Sequence, residues 1–182
     1  RRLCAGFNRP LRLSLANSAG VMLGSDYHFD LVRPGCALYG INPVPGQPNA
    51  FKNPVSWQGR IIQIRPIDEA GTVGYGATYA IKPPALCATI SVGYADGYLR
   101  SLSDHGVVFI NGESCPVIGR VSMDLIVADV SHVTTPVTAG GWADIIGAHQ
   151  AADDVAKAAG TIGYEILTSL GRRIKKTYKK NI

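Results

Sequence analysis

The sequence predicts a small, mostly β domain, barrel or sandwich, preceded by a short piece of parallel α/β structure. Three observations predict it. Between residues 55 and 147, short β-rich runs recur between glycine-bearing turns. Asn111-Gly112 separates runs at 107–110 and 114–118, a hairpin signature because both residues tolerate positive φ. Residues 11–42 read as strand, connection, strand, ahead of a stretch dominated by Pro43, Pro45, Gly46, Pro48, Asn49, Asn53 and Pro54.

The first strand is expected at about 11–15 and the second at about 29–32. Ala37-Leu38-Tyr39-Gly40 continues the second after Pro34-Gly35, and a short helix is expected within 17–28. Two strands cannot form a stable parallel sheet by themselves, so this zone reads as the end of something larger. Residues 43–54 break helix and strand alike and mark a candidate linker. Strands are then expected at 60–65 (RIIQIR), 86–92 (LCATISV), 107–110, 114–118, 125–130 and 143–146. Residues 151–171 read as helical, with Asp153 and Asp154 where a helix N-terminus favours negative charge. Gly160 and Gly163 predict a break, with a second helical piece at 164–170.

Hydrophobic residues make up 46% and charged residues 17% of the 182, a balance that suits a packed globular protein and argues against disorder. No apolar run approaches the roughly 18 residues of a membrane span, and no secretory signal opens the chain. A cytosolic protein with reduced thiols is therefore expected. Cys4, Cys36, Cys87 and Cys115 form no CxxC pair, and His28, His105, His132 and His149 are equally scattered. No metal site is inferred. The chain begins at Arg1 without a Met, which reads as a cleavage point or fragment end. Net charge is +5, and Arg172, Arg173, Lys175, Lys176, Lys179 and Lys180 crowd the C-terminal end. Such a tail is either solvated or a contact for nucleic acid or anionic lipid. No RNA-binding signature or zinc-finger spacing accompanies it, and solvation is the expectation.

Six segments stand out as more than scaffold: Asn17-Ser18-Ala19-Gly20; residues 32–40 (VRPGCALYG); residues 73–79 (VGYGATY); residues 93–98 (GYADGY); residues 119–124 (GRVSMD); and Gly163-Tyr164-Glu165. Each alone reads equally as a turn or a packed aromatic. In this order and spacing, from about Ser14 to the end, they resemble the later half of the alanine racemase family. The resemblance implies the end of a TIM-like (β/α)8 barrel in residues 1–50 and a mainly β C-terminal domain in 51–182. It also implies pyridoxal 5'-phosphate as cofactor, alanine as substrate, a homodimer, and no nucleic-acid or membrane partner.

The implied chemistry assigns residues. An α-proton is too weakly acidic to leave unaided, and the cofactor delocalises the resulting charge. Inversion then needs two acid/base groups on opposite faces. In the family these are the cofactor lysine and a tyrosine, which matches Tyr75. A phenol ordinarily ionises near pH 10, so this role needs nearby positive charge or hydrogen bonds. Arg33 matches the arginine facing the pyridine nitrogen; a guanidinium cannot lose its proton and can only donate there. Gly35 and Cys36 match main-chain N–H donors to the phosphate, with Ser18 and Tyr164 supplying hydroxyls. Met123 matches a main-chain N–H that meets the substrate carboxylate. Tyr94 matches a residue lining the substrate passage, and Arg120 and Asp124 match positions near the entrance and subunit interface. Ser14 stands where many relatives have histidine. Without the resemblance, Tyr75 reads as a packed loop residue, Ser18 as a helix N-cap, Tyr164 as core packing, and Arg33, Arg120 and Asp124 as ion-pair partners.

The cofactor lysine lies in the family's N-terminal half, and no lysine here sits in a matching motif. The chain alone is therefore expected to be inactive. The complete protein is read as an enzyme that supplies D-alanine for bacterial peptidoglycan. Other readings are a racemase of broader specificity or for serine, and a non-catalytic β-barrel interaction module.

Overall fold

Contacts divide the chain into two compact units, Arg1–Pro54 and Val55–Ile182. The computed structural model describes residues 6, 7 and 9–179. Arg1, Cys4 and Lys180, named above, lie outside these.

In the first unit, Asn17 Oδ1 accepts the Gly20 N–H at 2.9 Å and caps a helix, α1 (Ser18–Met22). A one-turn 3-10 helix follows at Ser25–Tyr27. The expected strands at 11–15 and 29–32 reduce to one parallel bridge, Ser14 to Leu31. A pairing of two strands with no further strand beside it is marginal, and here it stays at a single bridge. The expected strand continuation at 37–40 is instead a 3-10 helix, Cys36–Tyr39. The proline-rich stretch is ordered by its asparagines: Asn42 Nδ2 donates to the Gln47 carbonyl and Asn49 Nδ2 to the Gly40 carbonyl, both at 2.7 Å.

The second unit opens with β1 (Trp57–Ile67), then a small hairpin of β2 (Gly71–Val73) and β3 (Tyr79–Ile81). Next come β4 (Ala85–Ser91), β5 (Val107–Ile110), β6 (Glu113–Ile118), β7 (Ile126–Asp129) and β8 (Trp142–Ile146). Two helices follow, α2 (Ala152–Ala159) and α3 (Gly163–Thr168). Six strands close into an antiparallel barrel in the order β1-β4-β7-β6-β5-β8, which leaves no open sheet edge. Each strand expected between 60 and 146 is present. Asn111 (φ 54°) and Gly112 (φ 83°) turn β5 into β6 as their chemistry predicts.

Alternate residues of the barrel strands point inward. Ile61, Ile90, Val108, Ile110, Val117, Ile126 and Ile145 are buried there. Each such side chain stabilises by about 1.5–3 kcal/mol relative to exposure. Val155 and Ala156 of α2 and Ile166 of α3 join the same core. Asp154 Oδ2 accepts the Ala151 N–H at 2.8 Å and caps α2.

The β2–β3 hairpin was not expected; with three residues per strand it shows no alternation to read. It has its own small core on the outside of the barrel, where Val73, Tyr79 and Ile81 meet Cys87, Ile118 and Val127. That second core is what gives the turn between β2 and β3 a fixed place.

Candidate active site

The turn joining β2 to β3 carries Gly74-Tyr75-Gly76-Ala77, and three of its residues have positive φ: Gly74 (79°), Gly76 (75°) and Ala77 (52°). Tyr75 is 74% exposed, so the packed-loop alternative does not hold. The turn lies backbone against backbone on the loop that follows β6. A Cβ on Gly74 would stand 2.7 Å from the Arg120 nitrogen, and one on Gly119 would stand 2.7 Å from the Val73 carbonyl oxygen. That loop is itself held. Gly119 N–H donates to Asp104 Oδ1 at 2.6 Å and Val121 N–H to Ser103 Oγ at 3.0 Å. Arg120 Nε lies 3.8 Å from where a Cβ on Gly76 would stand, which puts a permanent cation beside the tyrosine-bearing turn.

A second cluster joins residues 93–97 to residues 122–124. Tyr94 N–H donates to the Ser122 carbonyl and Ala95 N–H to the Met123 carbonyl, both at 3.0 Å. Tyr94 and Met123 are exposed side by side in this arrangement. Met123 spends its carbonyl on the fold, and among the described residues its N–H meets no protein acceptor. Asp96 is 8% exposed; its Oδ2 accepts the Gly93 N–H at 2.9 Å. Arg173 grips Asp96 with two nitrogens, at 2.6 and 3.0 Å, and reaches Asp124 Oδ1 at 2.6 Å. These hydrogen bonds, to Asp96 first and Asp124 second, raise the guanidinium pKa further. Asp124 thus has a salt-bridge partner, and it is Arg173 rather than Arg120. Arg173 corrects the expectation of a wholly solvated basic tail. Tyr164, in the first turn of α3, is exposed, while Ile166 fills the core; the core-packing alternative for Tyr164 does not hold.

The first unit gathers a different donor set. Arg33 donates from Nε to Ser14 Oγ and from Nη2 to the Leu15 carbonyl, both at 3.2 Å. These acceptors are neutral, and among the described residues Arg33 has no ion-pair partner. Because Asn17 caps α1, Ser18 Oγ is left for other donors: Gly35 N–H at 2.9 Å and Ala37 N–H at 3.3 Å. Cys36, between those two, is buried.

The structure therefore brings Ser14, Ser18, Arg33, Gly35 and Cys36 together in one unit. Tyr75 with Arg120, and Tyr94 with Met123 and Asp124, assemble in the other. Sequence reasoning missed Ser103, Asp104, Asp96 and Arg173 as site-building residues. Asp96 left a trace as part of the quoted GYADG segment, and Arg173 only as one charge of the basic tail. Among the described residues no cluster of histidine, cysteine or acidic side chains could hold a metal ion, and no helix is long and apolar enough to cross a membrane.

Residues 54–178 match the family described as alanine racemase, C-terminal domain, and residues 1–43 match alanine racemase, N-terminal domain. An alanine racemase of Rickettsia canadensis is 47% identical over 171 residues, covering 93% of this chain and 46% of the relative. One from Rhizobium meliloti is 47% identical over 177 residues, covering 91% and 47%. The crystal structure of alanine racemase from Bartonella henselae with covalently bound pyridoxal phosphate aligns with a TM-score of 0.88 at 43% identity, over 98% of this chain and 49% of that one. The chain spans about half the length of the relatives it matches.

Proposed function

The chain belongs to the alanine racemase family, and on that premise we propose that the complete protein interconverts L- and D-alanine with pyridoxal phosphate. In this reading residues 1–50 form the last part of a (β/α)8 barrel and residues 51–182 the C-terminal β domain. The enzyme works in the bacterial cytoplasm, as a homodimer, and supplies D-alanine for peptidoglycan. Tyr75 serves the active site of the partner subunit.

The donor set of the first unit fits the cofactor's phosphate. Ser18 Oγ accepts from the Gly35 and Ala37 N–H groups, which leaves its own proton to donate to an anionic oxygen. Ser18, Gly35 and Cys36 would hold the phosphate, with Tyr164 added on family grounds alone. Arg33, whose guanidinium is a donor with no acceptor, would donate to the ring nitrogen and keep it bare. When bound, the group supplies the electron sink for α-proton removal.

The chain's own part is proton handling and carboxylate binding. Tyr75 Oη takes or returns the proton on one face of the α-carbon. Its exposure on a turn held by backbone contacts is the observation that carries this assignment. The Met123 N–H, which the fold does not use, binds the substrate carboxylate. The second base is the family's lysine, which matches nothing in this chain, so the chain alone is inactive.

The test uses the complete enzyme with Tyr75→Phe in deuterated water. Racemisation falls by about 10²–10⁴-fold, the worth of one positioned acid/base group. Exchange of the α-proton persists for the enantiomer served by the other base, and cofactor absorbance is retained. Racemisation within threefold of wild type in both directions would reject Tyr75 as the base.

A further inference from the structure

We infer that Arg173 is a positioning residue that clamps the Tyr94 turn onto the Met123 loop and so holds the Met123 N–H ready for a carboxylate. The guanidinium ties its own segment to two others far away in sequence: Asp96 by two hydrogen bonds, and the 123–124 loop by a third to Asp124 with the Met123 carbonyl at 3.5 Å. Only a planar fork of donors satisfies that geometry; a lysine ammonium is a single point charge. The surrounding backbone is interlocked. A Cβ on Gly93 would stand 2.3 Å from the Met123 oxygen and 2.4 Å from the Ser122 oxygen. Gly171 N–H donates to the Asp96 carbonyl at 2.9 Å, anchoring the segment that carries Arg173.

Charge adds a second effect. Asp96 and Asp124 flank Met123 with two negative charges, and Arg173 offsets one of them. Without it, an incoming carboxylate meets both acids unpaired, and Asp96 is left in a mostly buried position without its cation. The identity of the ligand, alanine's carboxylate, rests on the racemase reading; the clamp itself does not.

The experiment compares complete wild-type enzyme with Arg173→Gln, Arg173→Lys and Arg172→Gln, the last removing an exposed charge outside the cluster. Amide hydrogen exchange is followed at residues 93–97 and 122–124, together with KM for alanine and the inhibition constant of propionate, a carboxylate without an amino group. Arg173→Gln speeds exchange at Tyr94 and Ala95 and raises both constants by about tenfold, as expected for losing hydrogen bonds between charged groups. kcat changes by less than threefold, Arg173→Lys is intermediate, and Arg172→Gln matches wild type. Should Arg173→Gln not fold, Arg173→Lys carries the comparison, because it keeps the charge and loses the fork. Exchange and KM within twofold of wild type in the Arg173 variants overturn the clamp. A wild-type enzyme that does not racemise alanine overturns the racemase reading and with it the ligand, while the exchange data still decide the clamp.

Discussion

Gly119 and Val73 meet with no room between them: a side chain on Gly119 would begin 2.7 Å from the Val73 carbonyl oxygen, at a backbone φ of 73°. The turn bearing Tyr75 is seated by this contact and by its mirror at Gly74. Gly119→Ala therefore costs both strain and displacement, about 1–3 kcal/mol in urea unfolding. Racemase activity of the complete enzyme should fall further than stability explains. Unchanged unfolding would mean that the hairpin is seated some other way.

Asp104 supports the same loop by accepting the Gly119 N–H while itself at φ 61°. Aspartate and asparagine tolerate that backbone better than other side chains. Asp104→Ala leaves the amide unpaired and should cost about 1–3 kcal/mol. Asp104→Asn keeps both an acceptor and the tolerated backbone, and its melting temperature should return most of the way to wild type.

Ser18 tests the phosphate cradle. Titration of apo complete enzyme with pyridoxal phosphate and with pyridoxal separates the phosphate contribution from the ring's. Ser18→Ala should weaken the phosphorylated compound about five- to tenfold, the scale of one hydrogen bond, and leave pyridoxal unchanged. Equal losses for both compounds would assign Ser18 to folding alone.

Cys115 lies in the barrel core, and burial raises its thiol pKa from 9.0 to about 11. A raised folded-state value stabilises fully below the unfolded pKa and is lost as pH climbs through the folded one. Stability should therefore decline between about pH 9 and 11. Cys115→Ala lowers stability at neutral pH through the cavity it leaves, yet flattens that alkaline decline. An identical slope in melting temperature against pH would exclude the thiol as a source.

The barrel strands could be read in the sequence because a strand buried on one face must alternate, and because Asn111-Gly112 permits little but a tight hairpin. The hairpin at 71–81 could not be read: three-residue strands show no period, and their support comes from Cys87, Ile118 and Val127, distant in sequence. At 37–40 local β propensity pointed to a strand, and the chain formed a 3-10 turn. Tyr75, Met123 and Arg33 were singled out as candidates by motif, and the arrangement that presents them came from the structure alone.

By itself the sequence determined the fold class, the run of barrel strands and the family, because hydrophobic period, turn residues and motif order are properties of neighbouring residues. Tertiary structure alone decided that Asn17 rather than Ser18 caps α1, that Gly119 seats the Tyr75 turn, and that Arg173 joins Asp96 to Asp124. The physical reason is the same in all three. A hydrogen bond, a close approach and a charge pair depend on which groups fold into reach, and a basic tail or a lone serine looks identical in sequence whatever it ends up touching.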